Sequence, residues 1–184
     1  NYLMQGSNVL YITLEMAEER IAERIDANLM NIALDDIENL PKPAYMKKIK
    51  AIKEKTVGKL IIQEYPTSSA HVGHFRHLIK ELKLKKKFKP DVIVIVYLNI
   101  CTSSRISGAG AVNSYTLVKS IAEEIRGLAV EFDVPIWSST QVNREGFNSS
   151  DVGLENTSES FGLPATADLF LAIIANEELD NLGQ

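Results

Sequence analysis

Residues 91–100 read DVIVIVYLNI, an apolar and mostly β-branched run that begins after a lysine-rich stretch. A run of this length without polar alternation is typical of a strand that is covered on both faces, as in a parallel sheet. Further apolar runs predict strands at residues 8–14, 59–65, 134–140 and 168–175. The segment 91–100 is therefore expected to lie inside a sheet of five strands.

The segments between these strands show the three- and four-residue spacing of helices. We predict helices at residues 17–30, 43–55, 72–86 and 113–132. The last of them carries one apolar stripe, formed by Tyr115, Val118, Ala122, Ile125, Ala129 and Phe132. Strands that alternate with helices predict an open, mostly parallel α/β sheet with helices on its faces.

Composition excludes several classes of protein. The 184 residues are 45% hydrophobic and carry 24 acidic against 20 basic side chains, for a net charge of −4. This mild acidity argues against a protein that coats nucleic acid by bulk charge. No stretch approaches the roughly 18 apolar residues of a membrane span, and residues 1–6 do not resemble a secretory leader. The single cysteine, Cys101, cannot form an internal disulfide, so we expect a cytoplasmic protein without membrane contact.

Candidate functional residues lie where the predicted strands end, because open α/β sheets bind ligands at the carboxyl ends of their strands. Glu15 follows the first strand, where a carboxylate can activate water for nucleotide hydrolysis or can simply favour a helix N-terminus. Gln141 follows the fourth strand, where it can sense a phosphate or merely end the strand. Two long loops at the same edge carry Arg105 and Arg144, either as ligand contacts or as solvated side chains.

Four segments occur in an informative order: TLEMAEERIAERI (13–25), IVYLN (95–99), TQVNR (140–144) and SESFGLPATAD (158–168). Together they resemble the ATPase domain of DnaB-like hexameric replicative DNA helicases, in particular those of large tailed phages. The resemblance covers about residues 8–175 and implies a three-layer RecA-like fold of the P-loop NTPase type. It matches Glu15 to the catalytic glutamate, Arg24 to a helix arginine and Gln141 to a catalytic glutamine that contacts phosphate.

The resemblance also implies an activity and its partners. Such a domain is part of a motor that uses ATP and Mg²⁺ to translocate 5′ to 3′ on single-stranded DNA and to unwind duplex DNA in replication. It would assemble into a hexameric ring and meet primase and other replisome proteins in the cytoplasm of the host cell. In this family the two loops face DNA, so Arg105, Asn143 and Arg144 are the implied contacts to DNA phosphates.

The sequence departs from the family pattern in ways that bear on catalysis. It contains no G-x-x-x-x-G-K-[ST] phosphate-binding loop, and Val96 stands where the family carries the Walker B aspartate. The family's arginine finger is not found either. We expect residues 1–184 to form one incomplete RecA-like domain, lacking the P-loop strand and helix and inactive by itself, so that its status as an enzyme stays open. The alternatives are a non-catalytic RecA-fold binding or assembly module and a RecA-type recombinase-like protein.

Other conspicuous residues favour structural interpretations. His71, His74 and His77 have helical spacing but no Cys or acidic partner set, so no metal site is predicted. The lysines between Lys80 and Lys89 are interpreted as the solvated end of a helix rather than a nucleic-acid patch. Cys101 and Trp137 are predicted to be core residues.

Overall fold

Over the described residues, four parallel strands form a central sheet. The computed structural model describes residues 1–106, 113–141 and 162–173. Its strands are β1 (Val9–Thr13), β2 (Leu60–Glu64), β3 (Val92–Val96) and β4 (Ile136–Ser138). They lie in the order β2-β1-β3-β4, and every neighbouring pair is parallel. The predicted α/β class and the first four predicted strands are confirmed.

Six helices connect or follow the strands in the described residues. They are α1 (Glu18–Met30), α2 (Leu34–Glu38), α3 (Lys42–Lys55), α4 (Val72–Lys86), α5 (Ser114–Phe132) and α6 (Gly162–Thr166), and a 3₁₀ turn spans Leu98–Ile100. The four predicted helices are confirmed to within one residue at each end. The helices α2 and α6 were not predicted, because five residues are too few to show a helical period. Over the described ranges, no helix has the length and apolarity needed to cross a membrane.

The core lies between the central strands and the pair α4 and α5. Leu10 and Ile12 of β1 and Ile93 and Ile95 of β3 are completely buried. They pack in one cluster with Phe75 of α4 and with the buried stripe of α5, consisting of Val118, Ile121, Ala122, Ile125 and Leu128. Right-handed crossovers place α4 and α5 on the same face of the sheet and α1 to α3 on the other, in agreement with the contacts α4–α5 and α1–α3.

The fifth predicted strand, residues 168–175, is wrong over the part that the structure describes. Residues 168–173 follow α6 without regular structure, and the side chains of Leu169, Leu171 and Ile173 are 63%, 66% and 99% exposed. A strand requires a neighbouring strand for its backbone hydrogen bonds. Among the described residues the sheet ends at β4, which does not pair with this segment, so its apolar run stays uncovered.

The predictions for the two unusual core residues had opposite outcomes. Cys101 is buried, as predicted, and burial raises the pKa of its thiol to about 12. Trp137 is not a core residue, since it is 38% exposed. It belongs to the edge strand β4, and its indole Nε1 donates a hydrogen bond to the Tyr2 hydroxyl at 3.1 Å. In the part of the chain that the structure describes, β4 has a neighbouring strand on one side only, and the ring is partly open to solvent.

Candidate functional site

The carboxyl ends of β1, β2 and β3 lie at the same level and form one edge, called the carboxyl edge below. Thr13, the last residue of β1, pairs with Glu64 of β2 and with Val96 of β3. The ladder continues one step further, because the Leu14 amide donates to the Val96 carbonyl at 2.9 Å. Glu15 therefore leaves the sheet beside the position of Val96.

The side chain of Glu15 is exposed and has no hydrogen bond or ion pair with the residues that the structure describes. Helix α1 begins only at Glu18, so the acids of its first turn are Glu18 and Glu19. The helix dipole thus gives a weaker explanation for Glu15 than for those two residues, since its effect falls off beyond the first turn. An unpaired carboxylate at this edge is free to accept a proton from a ligand or water.

Two contacts that the sequence did not reveal fix the backbone around Glu15. The Thr13 hydroxyl donates to the Met16 carbonyl at 2.8 Å and accepts from the Met16 amide at 3.1 Å, which closes the turn. The Glu18 carboxylate accepts from the Glu64 amide at 2.8 Å, and the Glu64 carboxylate accepts from the Glu18 amide at 3.2 Å. The reciprocal pair fastens the start of α1 to the end of β2.

Val96 ends β3 with a half-buried hydrocarbon side chain, and the Val96–Tyr97 peptide bond is cis. Mg²⁺ binds oxygen ligands, which valine does not have. In the part of the chain that the structure describes, no three His, Cys, Asp or Glu side chains are grouped so as to hold a metal ion. The residues present at this position do not fit a Mg²⁺ ion.

Gln141 is exposed beyond the end of β4, at the last position of a described range. The segment leading to it is fastened to the turn after β3. The Leu98 amide donates to the Ser139 carbonyl at 3.2 Å, and the Thr140 hydroxyl donates to the side-chain oxygen of Asn99 at 2.8 Å. The segments that follow β3 and β4 are thus linked. Asn143 and Arg144 lie outside the described residues.

The loop that carries Arg105 is anchored to α5 by a buried carboxylate. Glu124 is 6% exposed, and its oxygens accept hydrogen bonds from both Ser103 and Ser104. Burial by itself raises the pKa of the Glu124 carboxyl, but the hydrogen bonds from the loop outweigh burial and hold that pKa below its usual value. Sequence reasoning missed Glu124. The available signal was a charged residue three positions after Ile121, on the apolar face of α5.

The family is settled by comparison with known proteins. The family model described as "DnaB-like helicase C terminal domain" matches residues 1–177. The chain belongs to the DnaB-like helicase C-terminal domain family. This DnaB-like domain is 50% identical, over 182 residues, to the DnaB-like replicative helicase of Enterobacteria phage T4. That match covers 97% of the chain and 38% of the phage protein.

More distant matches extend the same relationship. The DnaB-like domain is 26% identical over 173 residues to the replicative DNA helicase DnaB of Helicobacter pylori (strain ATCC 700392 / 26695), covering 92% of this chain and 34% of the relative. The chain therefore spans well under half the length of these curated relatives. Among solved structures, a DnaB-like replicative helicase studied with its primase interactions has a TM-score of 0.69 at 17% identity, covering 90% of this chain and 41% of that one.

A second solved structure, described as an ATPase domain, is similar to the DnaB-like domain to the same degree. Its TM-score is 0.69 at 17% identity, and the match covers 90% of this chain and 58% of that chain. These similarities confirm the RecA-like fold. The helix arginine Arg24 is exposed on α1, close to Tyr11. Burial raises the pKa of the Tyr11 hydroxyl, and the positive charge of Arg24 opposes part of this rise.

Two of the three histidines, His71 and His74, cap the start of α4. The ring Nδ1 of His71 accepts from the Gly73 amide at 3.0 Å, and Nδ1 of His74 accepts from the His71 amide at 3.2 Å. A Cβ at Gly73 would lie 2.6 Å from the His71 ring, so only glycine allows this cap. His77 lies further along α4 and is mostly exposed. The predicted solvated end of α4 is confirmed, because Lys85 pairs with Glu81 at 2.6 Å and both side chains face solvent.

This cap predicts a dependence of stability on pH. Burial is the main cause that lowers the pKa of His71, the neighbouring His74 adds to it, and Glu124 opposes it in part. The unfolded chain, with a histidine pKa of about 6.5, then binds a proton more readily than the folded one. The free energy of unfolding is expected to be unaffected above the unfolded pKa and to fall as pH decreases below it. Urea unfolding between about pH 7.5 and pH 5.5 measures this.

Matched variants separate His71 from the other titrating groups. His71→Asn keeps a capping side chain that does not titrate and should flatten the decline. His77→Asn changes an exposed histidine of the same helix and should leave the decline intact. An equal decline in wild type and His71→Asn would contradict the assignment.

Proposed function

We propose that this domain is part of the ATPase motor of a replicative DNA helicase, a protein that translocates 5′ to 3′ on single-stranded DNA and unwinds duplex DNA in replication. The observation that carries the proposal is the convergence at the carboxyl edge. Glu15 leaves β1 beside the end of β3, and the segment leading to Gln141 is hydrogen-bonded to the turn after β3. Ligands of open α/β sheets bind at such an edge, and family membership supports a helicase.

Within this function, Glu15 acts as the general base and Gln141 contacts the terminal phosphate or the attacking water. The carboxylate of Glu15 is exposed and has no hydrogen bond or ion pair among the described residues, so it can accept the proton of a water molecule. The amide of Gln141 can donate to a phosphate oxygen and accept from water. Both roles need only positioning, which is the main protein contribution to phosphoryl transfer.

ATP and Mg²⁺ are the cofactors we propose for the complete motor, but this chain alone hydrolyses no ATP. Its sequence contains no P-loop motif to cradle phosphates. The valine at position 96 offers no oxygen to a hydrated Mg²⁺ ion. The lack of an oxygen ligand at Val96 also favours a second candidate function. This is a non-catalytic RecA-fold module that packs into an assembly and does not hydrolyse ATP.

Single-stranded DNA, further copies of the chain in a hexameric ring, and primase with other replisome proteins are the proposed partners, in the cytoplasm of the host cell. Arg105 is the described residue that supports DNA contact. Its side chain, in the loop that follows β3, is 59% exposed, and among the described residues its guanidinium pairs with the partly exposed carboxylate of Glu123 at 3.2 Å. Asn143 and Arg144 are proposed as further contacts, from the family resemblance alone.

Arg105→Ala is expected to weaken binding of single-stranded DNA and to reduce the dependence of binding on salt. Removing one phosphate contact lowers the slope of log affinity against log salt concentration by about one. Fluorescence anisotropy with a labelled oligothymidine at several salt concentrations measures both quantities.

Lys85→Ala is the matched control, because it removes one cation from an exposed ion pair. Lys85 lies in the last turn of α4, away from the loop that carries Arg105. This variant should change affinity much less. Equal losses in the two variants would mean that bulk charge, rather than Arg105, holds the DNA.

A further inference from the structure

Glu124 is a buried carboxylate whose charge is compensated mainly by the loop that carries Arg105. A buried carboxylate is costly unless it is paired or hydrogen-bonded. No cation forms an ion pair with Glu124 among the residues that the structure describes. Its compensation comes instead from the hydroxyl of Ser103, the amide and hydroxyl of Ser104, and the hydroxyl of Ser120 on its own helix. Three of these four donors belong to the loop.

The same contacts continue into the backbone of Arg105. The Ser103 hydroxyl donates to Glu124 and accepts from the amides of Arg105, at 3.1 Å, and Ile106, at 3.3 Å. The Ser104 amide lies 2.9 Å from a carboxylate oxygen of Glu124. A continuous path of hydrogen bonds therefore runs from the buried carboxylate to the backbone that carries the Arg105 side chain.

Glu123, the residue before Glu124 on α5, contacts the side-chain guanidinium of Arg105. Its carboxylate lies 3.2 Å from the Arg105 guanidinium, and the two side chains are 44% and 59% exposed. Exposed ion pairs are weak in water. A DNA phosphate can displace this carboxylate, which makes Glu123 a competitor for the guanidinium.

We infer that these adjacent acids control Arg105 in opposite ways: Glu124 is a positioning residue that holds the loop so that Arg105 faces an anionic ligand, and Glu123 occupies the guanidinium until the ligand replaces it. The inference rests on the proposed contact between Arg105 and single-stranded DNA. It adds that, in the absence of DNA, Glu124 keeps the Arg105 loop in place and Glu123 covers part of the guanidinium.

The direction in which two matched variants change the affinity for DNA tests the inference. Glu123→Ala and Glu124→Ala each remove one negative charge near the site, so electrostatics alone predicts that both raise affinity for an anion. The inference predicts that Glu123→Ala raises the affinity for oligothymidine by about two- to fivefold. It predicts that Glu124→Ala lowers that affinity by about tenfold. Glu124→Gln, which keeps an oxygen acceptor, should recover part of the loss.

Backbone hydrogen exchange provides a readout that does not depend on DNA. In Glu124→Ala the amides of Ser104, Arg105 and Ile106 should exchange faster, and in Glu123→Ala they should not. If Glu124→Ala does not fold, Ser103→Ala provides a milder test, because it removes the hydroxyl that links Glu124 to the amides of Arg105 and Ile106. It should likewise lower DNA affinity and speed exchange of these amides. Raised affinity in both glutamate variants, or unchanged exchange in Glu124→Ala and Ser103→Ala, would overturn the inference.

Failure of the proposed function gives a different result. If Arg105→Ala leaves DNA affinity unchanged, Arg105 is not a DNA contact and the proposed contact fails. The exchange rates then still decide whether Glu124 anchors the loop.

Discussion

Phe75→Ala should lower the free energy of unfolding by about 3–5 kcal/mol. Phe75 is completely buried on α4, in the cluster that contains Leu10 and Ile12 of β1. Its ring also meets the ring of Tyr65 edge to face, with 5.8 Å between centroids. Truncation leaves a cavity that this face of the sheet cannot close, because the surrounding side chains are held by α5 as well. The loss is a large fraction of the roughly 5–15 kcal/mol that stabilises a typical domain.

Urea denaturation followed by circular dichroism measures this change, and α4 supplies its own control. Leu84 is 82% exposed on the same helix, so Leu84→Ala should change the free energy of unfolding by less than about 0.5 kcal/mol. Comparable losses in the two variants would show that helix propensity, and not burial against the sheet, determines the stability of α4.

The second large effect concerns nucleotide binding. The chain alone should bind Mg·ATP too weakly to measure and should show no more ATP turnover than its Glu15→Gln variant. A chimera that adds a G-x-x-x-x-G-K-[ST] phosphate-binding loop with its strand and helix upstream of β1, together with Val96→Asp, should bind Mg·ATP. Val96 is half-buried at the end of β3, where an aspartate can reach solvent and offer oxygens to the hydration shell of the ion.

Calorimetry on three forms separates the effect of the missing phosphate-binding loop from that of the missing aspartate. The forms are the chain, the chimera with Val96 retained and the chimera with Val96→Asp. Binding should be strongest in the last form, and Glu15→Gln in that form should retain binding and lose turnover. Absence of Mg·ATP binding in every form would leave the family relationship as ancestry without nucleotide chemistry. Turnover by the unmodified chain above its Glu15→Gln control would refute the proposed inactivity.

The sequence predicted the repeating elements because their signals are local. The run around Ile93 and Ile95 is apolar at every position, and it became a central strand. Ile93 and Ile95 are completely buried on one face, whereas Val94 and Val96 on the other face are half-buried. Within the predicted stripe of α5, Val118, Ala122 and Ile125 belong to the face that packs on the sheet. Tyr115, at its start, was predicted to share that face but is 38% exposed. The motif around Glu15 placed that residue correctly after the first strand, because the end of an apolar run is visible in the sequence.

The remaining features depend on contacts between distant residues, which a single sequence does not display. Glu124 meets Ser103 and Ser104 only after α5 folds back under the loop. The cap formed by His71 depends on a ring orientation that Gly73 permits. The apolar run around Leu171 has the composition of a strand, yet composition cannot supply the neighbour that a strand requires.

The burial of Cys101 has a practical consequence for studying this protein in solution. Thiol-directed reagents attack the thiolate, and a thiol that is 4% exposed with a pKa of about 12 forms almost none at neutral pH. Because the sequence contains no other cysteine, thiol-directed reagents should label this chain very little. A cysteine introduced on the surface, at Tyr115 for example, would take up a fluorophore or spin label selectively, without the removal of a core residue.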